Sequence, residues 1–265
     1  MAKRITIQIV GAKDDKGDVR LSDFTDQLNL IKKALFERER IVSGVDSPQI
    51  DYKIVDLHHS EATIVIEPIS LNGASAYVNK VVSGFSDELR SIKKKAQLTD
   101  EPDVERLRAY QKIGHRPDNM ISKVRITVDR RPVTIDEYFK ENVEKILGPD
   151  EFIQGTISGM LDAINFHHTN RFTLYPPLGP RKVSGAFEPD LRPKVKEAVG
   201  NFVTVIGQLR YKQWAAFPHG IVAEDIDIHE QDSALPTLSE LRGSFSGALG
   251  NKTSADFVEE IRENW

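Results

Sequence analysis

The 265-residue chain has no cysteine. That single absence excludes disulfides, thiolate zinc sites and cysteine nucleophiles together. No apolar run approaches the roughly 20 residues that a helix needs to cross a bilayer, so no membrane span is expected. A phosphate loop is missing too, because no glycine run is followed by Lys-Ser or Lys-Thr at the required spacing. Seven histidines are present, but His58-His59 and His167-His168 are adjacent pairs, and neighbours on a strand point to opposite faces. None stands at helical i, i+4 spacing from another with a carboxylate between them, so neither a metal nor a cofactor is assigned. Asp225 and Asp227 alternate with Ile226 and Ile228 in the inside-outside pattern of a strand whose carboxylates face water. No constellation of titratable groups points to turnover, and the chain reads as a binder rather than an enzyme.

Apolar residues make up 39% of the sequence and charged residues 29%, which suits a globular protein with a real core. The formal net charge of -4 argues against a protein whose main task is to coat nucleic acid, without excluding a local basic face. The N-terminus, Met-Ala-Lys-Arg-Ile-Thr-Ile, enters a strand pattern directly, and the expectation is a cytoplasmic chain without a signal peptide.

An α+β domain is expected over residues 1–150, beginning strand, helix, strand, strand, helix. Residues 4–10 alternate at period two. Phe24, Leu28, Ile31 and Leu35 then share one face of a helix. Strands over 50–57 and 62–68 form a hairpin, and helices follow over about 74–95 and 104–113. A strand at 123–128 and a turn at 129–132 lead into a helix at 135–146. Gly148-Pro149-Asp150 then punctuates the chain.

Residues 151–230 read as a small closed barrel. Alternating runs at 153–166, 171–175 and 182–187 precede a short helix at 191–199, and runs at 203–209 and 221–228 follow it. Three strands, a helix and two strands is the order of the five-stranded OB-like β-barrel. Gly155 and Gly159 fall inside the first strand, where glycine permits curvature. Such barrels bind nucleic acid through cations and aromatic platforms. The candidates here are Arg171, Tyr175, Arg210, Tyr211, Lys212 and Trp214, the last four at the loop between the final strands. The more basic span from Arg90 to Arg131 is an equally good candidate face.

The segment 231–265 is a tail of short helices. Thr237 and Glu240 carry a capping-box spacing. Leu238, Leu241 and Phe245 follow at helical spacing, and after a glycine-rich polar stretch Phe257, Ile261 and Trp265 lie four apart. Helices this short are marginal alone in water, so their apolar residues need a surface. The stretches Leu235-Pro-Thr-Leu-Ser-Glu-Leu-Arg-Gly243 and Asp256-Phe-Val-Glu-Glu-Ile-Arg-Glu-Asn-Trp265 resemble the C-terminal ends of bacterial type II antitoxins, which are often encoded beside PIN-type ribonuclease toxins. The similarity covers about the last thirty residues. It implies a tail that neutralises a ribonuclease, with Leu238, Leu241, Phe245, Phe257, Ile261 and Trp265 as groove anchors. Arg242 and Arg262 would then enter an acidic, metal-holding cleft. The body departs from the small DNA-binding domain usual in such antitoxins. A nucleic-acid-binding OB-fold protein with a structural tail is the alternative.

Overall fold

Ile5, Ile7 and Ile9 point to one side of β1 (Ile5–Gly11), and all three are sealed from solvent. The computed structural model describes residues 3–12, 18–58, 62–71, 73, 75–114, 121–166, 169–229 and 253–263. The chain divides into two units, Met1–Glu151 with Lys212–Ala216, and Phe152–Tyr211 with Phe217–Trp265.

In the first unit β1 is followed by α1 (Leu21–Ser43), β2 (Ile50–His58), β3 (Thr63–Ser70), α2 (Ser75–Lys95), α3 (Val104–Lys112), β4 (Ile121–Val128), β5 (Arg131–Ile135) and α4 (Glu137–Leu147). The sheet order is β2-β3-β1-β4-β5, and every pairing is antiparallel. The chain leaves β1 through a helix, returns as the β2–β3 hairpin, and comes back through α2 and α3 to β4 on the other side of β1. This is the split β-α-β order, with β5 added at one edge. Ile5, Ile7, Ile64, Ile66, Val124 and Ile126 on one sheet face share a core with Ile31 and Leu35 of α1, Phe85 and Leu89 of α2, and Phe139 of α4. The opposite face, with Thr6, Gln8, Lys123 and Arg125, is only half-buried.

One element corrects the sequence reading. Between the turn and the last helix of this unit the chain forms β5, and α4 starts at Glu137 rather than Ile135. Val133 and Ile135 pair with Ile126 and Val124, which draws this short run into the sheet. Asp129 and Arg130 make the connection with both φ angles left-handed, 51° and 60°, as a two-residue hairpin turn requires. Asp136 then caps α4, accepting the Phe139 N–H at 3.0 Å.

The second unit contains strands β6 (Asp150–Asn165), β7 (Arg171–Tyr175) and β8 (Val183–Phe187), then a 3-10 turn at Pro189–Leu191 and α5 (Arg192–Ala198). Two further strands, β9 (Phe202–Lys212) and β10 (Gly220–Ile228), precede α6 (Ser254–Glu263). The strand order β10-β8-β7-β6-β9 closes through pairing of β9 with β10. β8 and β10 run parallel, whereas β6–β7 and β7–β8 are antiparallel. Leu161, Phe172, Leu174, Val183, Val205 and Ile221 fill the interior, together with Val195 and Ala198 from α5. Closure brings backbones close. A Cβ at Gly159 would lie 2.6 Å from the Tyr175 carbonyl oxygen, so no larger residue fits there without a shift. Among the described residues, no helix is long and apolar enough to cross a membrane.

Candidate functional site

Three places hold the residues that the sequence singles out, and each is built differently. The first is α6. Thr253 and Asp256 cap it reciprocally: the Thr253 N–H donates to Asp256 Oδ2 at 3.0 Å, and the Asp256 N–H donates to Thr253 Oγ1 at 3.2 Å. The hydrogen bonds from the Thr253 hydroxyl and N–H hold the Asp256 carboxyl below its ordinary range. The pattern Thr253-x-x-Asp256 was available in the sequence as a capping box and marks this start. Beyond the cap, Phe257, Val258 and Ile261 are 41%, 46% and 45% exposed. Arg262 is exposed in the last turn. Leu238, Leu241, Arg242, Phe245 and Trp265 lie outside the described residues.

The barrel strands scatter the second set. Arg171 and Tyr175 are exposed, but they stand at opposite ends of β7, roughly 13 Å apart at the usual strand rise. Arg210 is opposite Gly220 on β9, and Tyr211 packs half-buried against the barrel core. Lys212 is buried. Its ammonium pairs with Asp150 at 2.7 Å and donates to the Gly148 carbonyl at 2.7 Å, all within the first unit. Trp214 packs on the first unit's core and donates its indole N–H to the Ile146 carbonyl at 3.1 Å. Lys212 and Trp214 are thus committed to contacts inside the first unit, and Arg171 and Tyr175 stand apart on β7.

The third place collects residues far apart in the chain. A pocket of about 620 Å³ in the first unit is lined by Arg90, Lys93 and Lys94 of α2, by Arg130 of the hairpin turn, and by Arg131 and Thr134 of β5. The spacing i, i+3, i+4 puts the three α2 cations on one helix face. Arg90 is tied to Asp87, and Lys93 to both oxygens of Asp136 at 2.5 and 2.7 Å. Lys94, Arg130 and Arg131 have no acidic partner among the described residues. Burial pushes the Asp136 carboxyl up, but hydrogen bonds from Lys93 and the Phe139 N–H together bring it below its ordinary range. The Lys93 ammonium also lies 4.9 Å from the ring centroid of Tyr138, which is 51% exposed. Lys145 approaches the same ring at 6.0 Å.

Elsewhere the first unit seals a charged cluster. Glu88 Oε2 accepts from the Tyr110 hydroxyl at 2.6 Å, and the carboxylate forms ion pairs with Arg106 at 3.2 Å and Arg38 at 3.6 Å. Asp100 holds the outer side of Arg38. These groups join α1, α2 and α3 through buried ion pairs and a buried hydrogen bond, which is a structural use of charge. Among the described residues, no group of three or more His, Asp or Glu stands close enough to hold a metal ion. Neither a protein-family model nor any curated protein matches the chain.

Proposed function

We propose that this chain is an antitoxin-like binding protein whose C-terminal tail neutralises a partner ribonuclease of the PIN type. The observation that carries the reading is the apolar face of α6, where Phe257, Val258 and Ile261 stay more than two-fifths exposed on a helix that caps itself. A helix of this length gains most of its stability from covering such a face. The likeness of 235–243 and 256–265 to antitoxin tails supplies the kind of partner. PIN-type ribonucleases hold a metal with clustered carboxylates. An arginine fork suits bidentate pairing with carboxylates, and the exposed Arg262 sits on the helix that would line the groove.

We further infer that the second unit is an OB-fold. Counting its strands one to five, the order is one-two-three-five-four, closing back on one, with the third and fifth parallel and a helix between the third and fourth. That order supports the alternative, a nucleic-acid-binding OB-fold protein with a structural tail, through Arg171 and Tyr175 on the second strand. The internal bonds of Lys212 and Trp214 weigh against it.

The two readings separate in one experiment. The full chain and a chain ending at His229 are each co-expressed with the product of the neighbouring gene. The full chain is expected to capture that product and suppress its ribonuclease activity. The shortened chain is expected to do neither, while its circular dichroism keeps the signal of a folded body. Capture by the shortened chain rejects the tail as the inhibitory element.

A further inference from the structure

We infer that the basic pocket of the first unit, extended by Tyr138, is a binding site for single-stranded nucleic acid. Five cations, Arg90, Lys93, Lys94, Arg130 and Arg131, line one pocket of a chain whose net charge is -4. Concentrating positive charge in this way is not needed for folding. Lysines in the last turn of a helix complement its dipole, and Arg131 beside Pro132 blunts an edge strand. Those two roles explain the cations one by one, but neither explains why the two groups face the same cavity.

The charges also differ in availability. Asp87 and Asp136 hold Arg90 and Lys93 in place. Lys94, Arg130 and Arg131 are left without an acidic partner among the described residues. Anionic oxygens are the complement that this arrangement lacks. Three uncompensated cations around about 620 Å³ fit successive phosphates of a strand better than one small anion. Tyr138 supplies the second half of the chemistry. Its half-exposed ring is linked to the pocket through Lys93, 4.9 Å from the centroid. A cationic track beside an exposed aromatic ring is how sequence-tolerant single-strand sites are made, the ring stacking a base while the cations follow the backbone. Duplex is excluded as the fitting ligand, because its bases are already stacked and would leave Tyr138 without a partner.

The test is fluorescence anisotropy of the full chain with labelled oligo-dT and oligo-U of about 12 nucleotides, within the usual single-strand site size. Titrations are repeated from low to high NaCl. Three phosphate contacts at about 0.7 each predict a log–log salt slope of about −2. The double variant Lys94→Glu/Arg131→Glu is expected to lose at least about tenfold in affinity and most of the slope. Tyr138→Ala is expected to lose about tenfold with the slope kept, and Tyr138→Phe to bind as the parent does. These positions are solvent-exposed, and unfolding curves of each variant check that the body is intact. Three results overturn the proposal: no binding by the parent chain at low salt, unchanged affinity in the double variant, or loss in Arg171→Glu on the barrel instead. Inorganic polyphosphate that competes as well as the oligonucleotide, combined with no effect of Tyr138→Ala, overturns it as well by leaving an anion site with no use for a base.

Discussion

Glu88 and Arg106 have side chains wholly sealed from water and lie 3.2 Å apart. Burial pushes the Glu88 carboxyl above its ordinary range despite the attraction of Arg106 and Arg38. The Tyr110 phenol is raised well above its usual value by burial first and by Glu88 next. The cluster is not fully satisfied, since Arg106 Nε and Nη1 have no hydrogen-bond partner, and so removing any one member is costly. Tyr110→Phe deletes the 2.6 Å donor to Glu88 and is expected to cost about 1–3 kcal/mol in urea unfolding at pH 7. Glu88→Gln should cost more, about 3 kcal/mol or above, because Arg106 keeps a buried charge with its countercharge gone. The pH dependence has a definite sign. With Glu88 titrating higher in the folded than in the unfolded state, the folded state holds a proton that the unfolded chain has released. Stability therefore falls as pH rises from the ordinary carboxylate range through the raised value, and is flat above it. Unfolding midpoints across that window should show this decline in the parent chain and a weaker one in Glu88→Gln. An identical slope in both would assign the decline to other groups.

At the scale of the element, α4 offers the cleanest separation of two effects. Asp136 is both its N-cap and the ion-pair partner of Lys93. Asn caps a helix as well as Asp does, so Asp136→Asn removes only the ion pair, which at this half-exposed site is worth no more than about 1 kcal/mol. Asp136→Ala removes the cap as well and should cost about 1 kcal/mol further. Because the Asp136 carboxyl is held below its ordinary range, the parent's advantage over Asp136→Asn is present above that range. It disappears as pH falls through the depressed value, which acid-limb urea titrations will read. The elements themselves were unevenly legible in the sequence. Ile5, Ile7 and Ile9 alternate, and Ile31 and Leu35 repeat at helical spacing, because one face of each is buried; β1, α1 and α2 follow from that periodicity. β5 does not, since Arg131-Pro132 has the chemistry of a turn and only Val133 and Ile135 reach the core. Trp214 and Lys212 looked like ligand-gripping residues because loop aromatics and cations often are. Only their tertiary partners, the Ile146 carbonyl and Asp150, reveal an inward role. Arg90 to Arg131 was legible as a basic span. That Lys94 and Arg131 line one pocket depends on how β5 packs against α2, which charge patterning does not encode.

For the molecule as a whole, the decisive question is whether the body needs its tail. If Phe257, Val258 and Ile261 were covered, each would contribute about 1.5–3 kcal/mol of burial, and deleting them would lower stability by several kcal/mol. They are instead about half exposed, so a chain that lacks residues 253–265 should unfold within about 0.5 kcal/mol of the parent, as surface changes do. The comparison has a built-in probe. The chain has two tryptophans, Trp214 and Trp265, and the truncation leaves only Trp214, whose indole is fixed to the first unit's backbone at Ile146. Fluorescence of the shortened chain thus follows the first unit alone, with Trp265→Phe in the full chain as its matched reference, while far-UV circular dichroism follows both units. Equal midpoints by both probes mean that the apolar face of α6 is surplus to the body's own stability and available to another polypeptide. A loss of several kcal/mol on truncation, seen by either probe, would mean that the face is already occupied by this chain, and the tail could then bind a ribonuclease only by first giving up that contact.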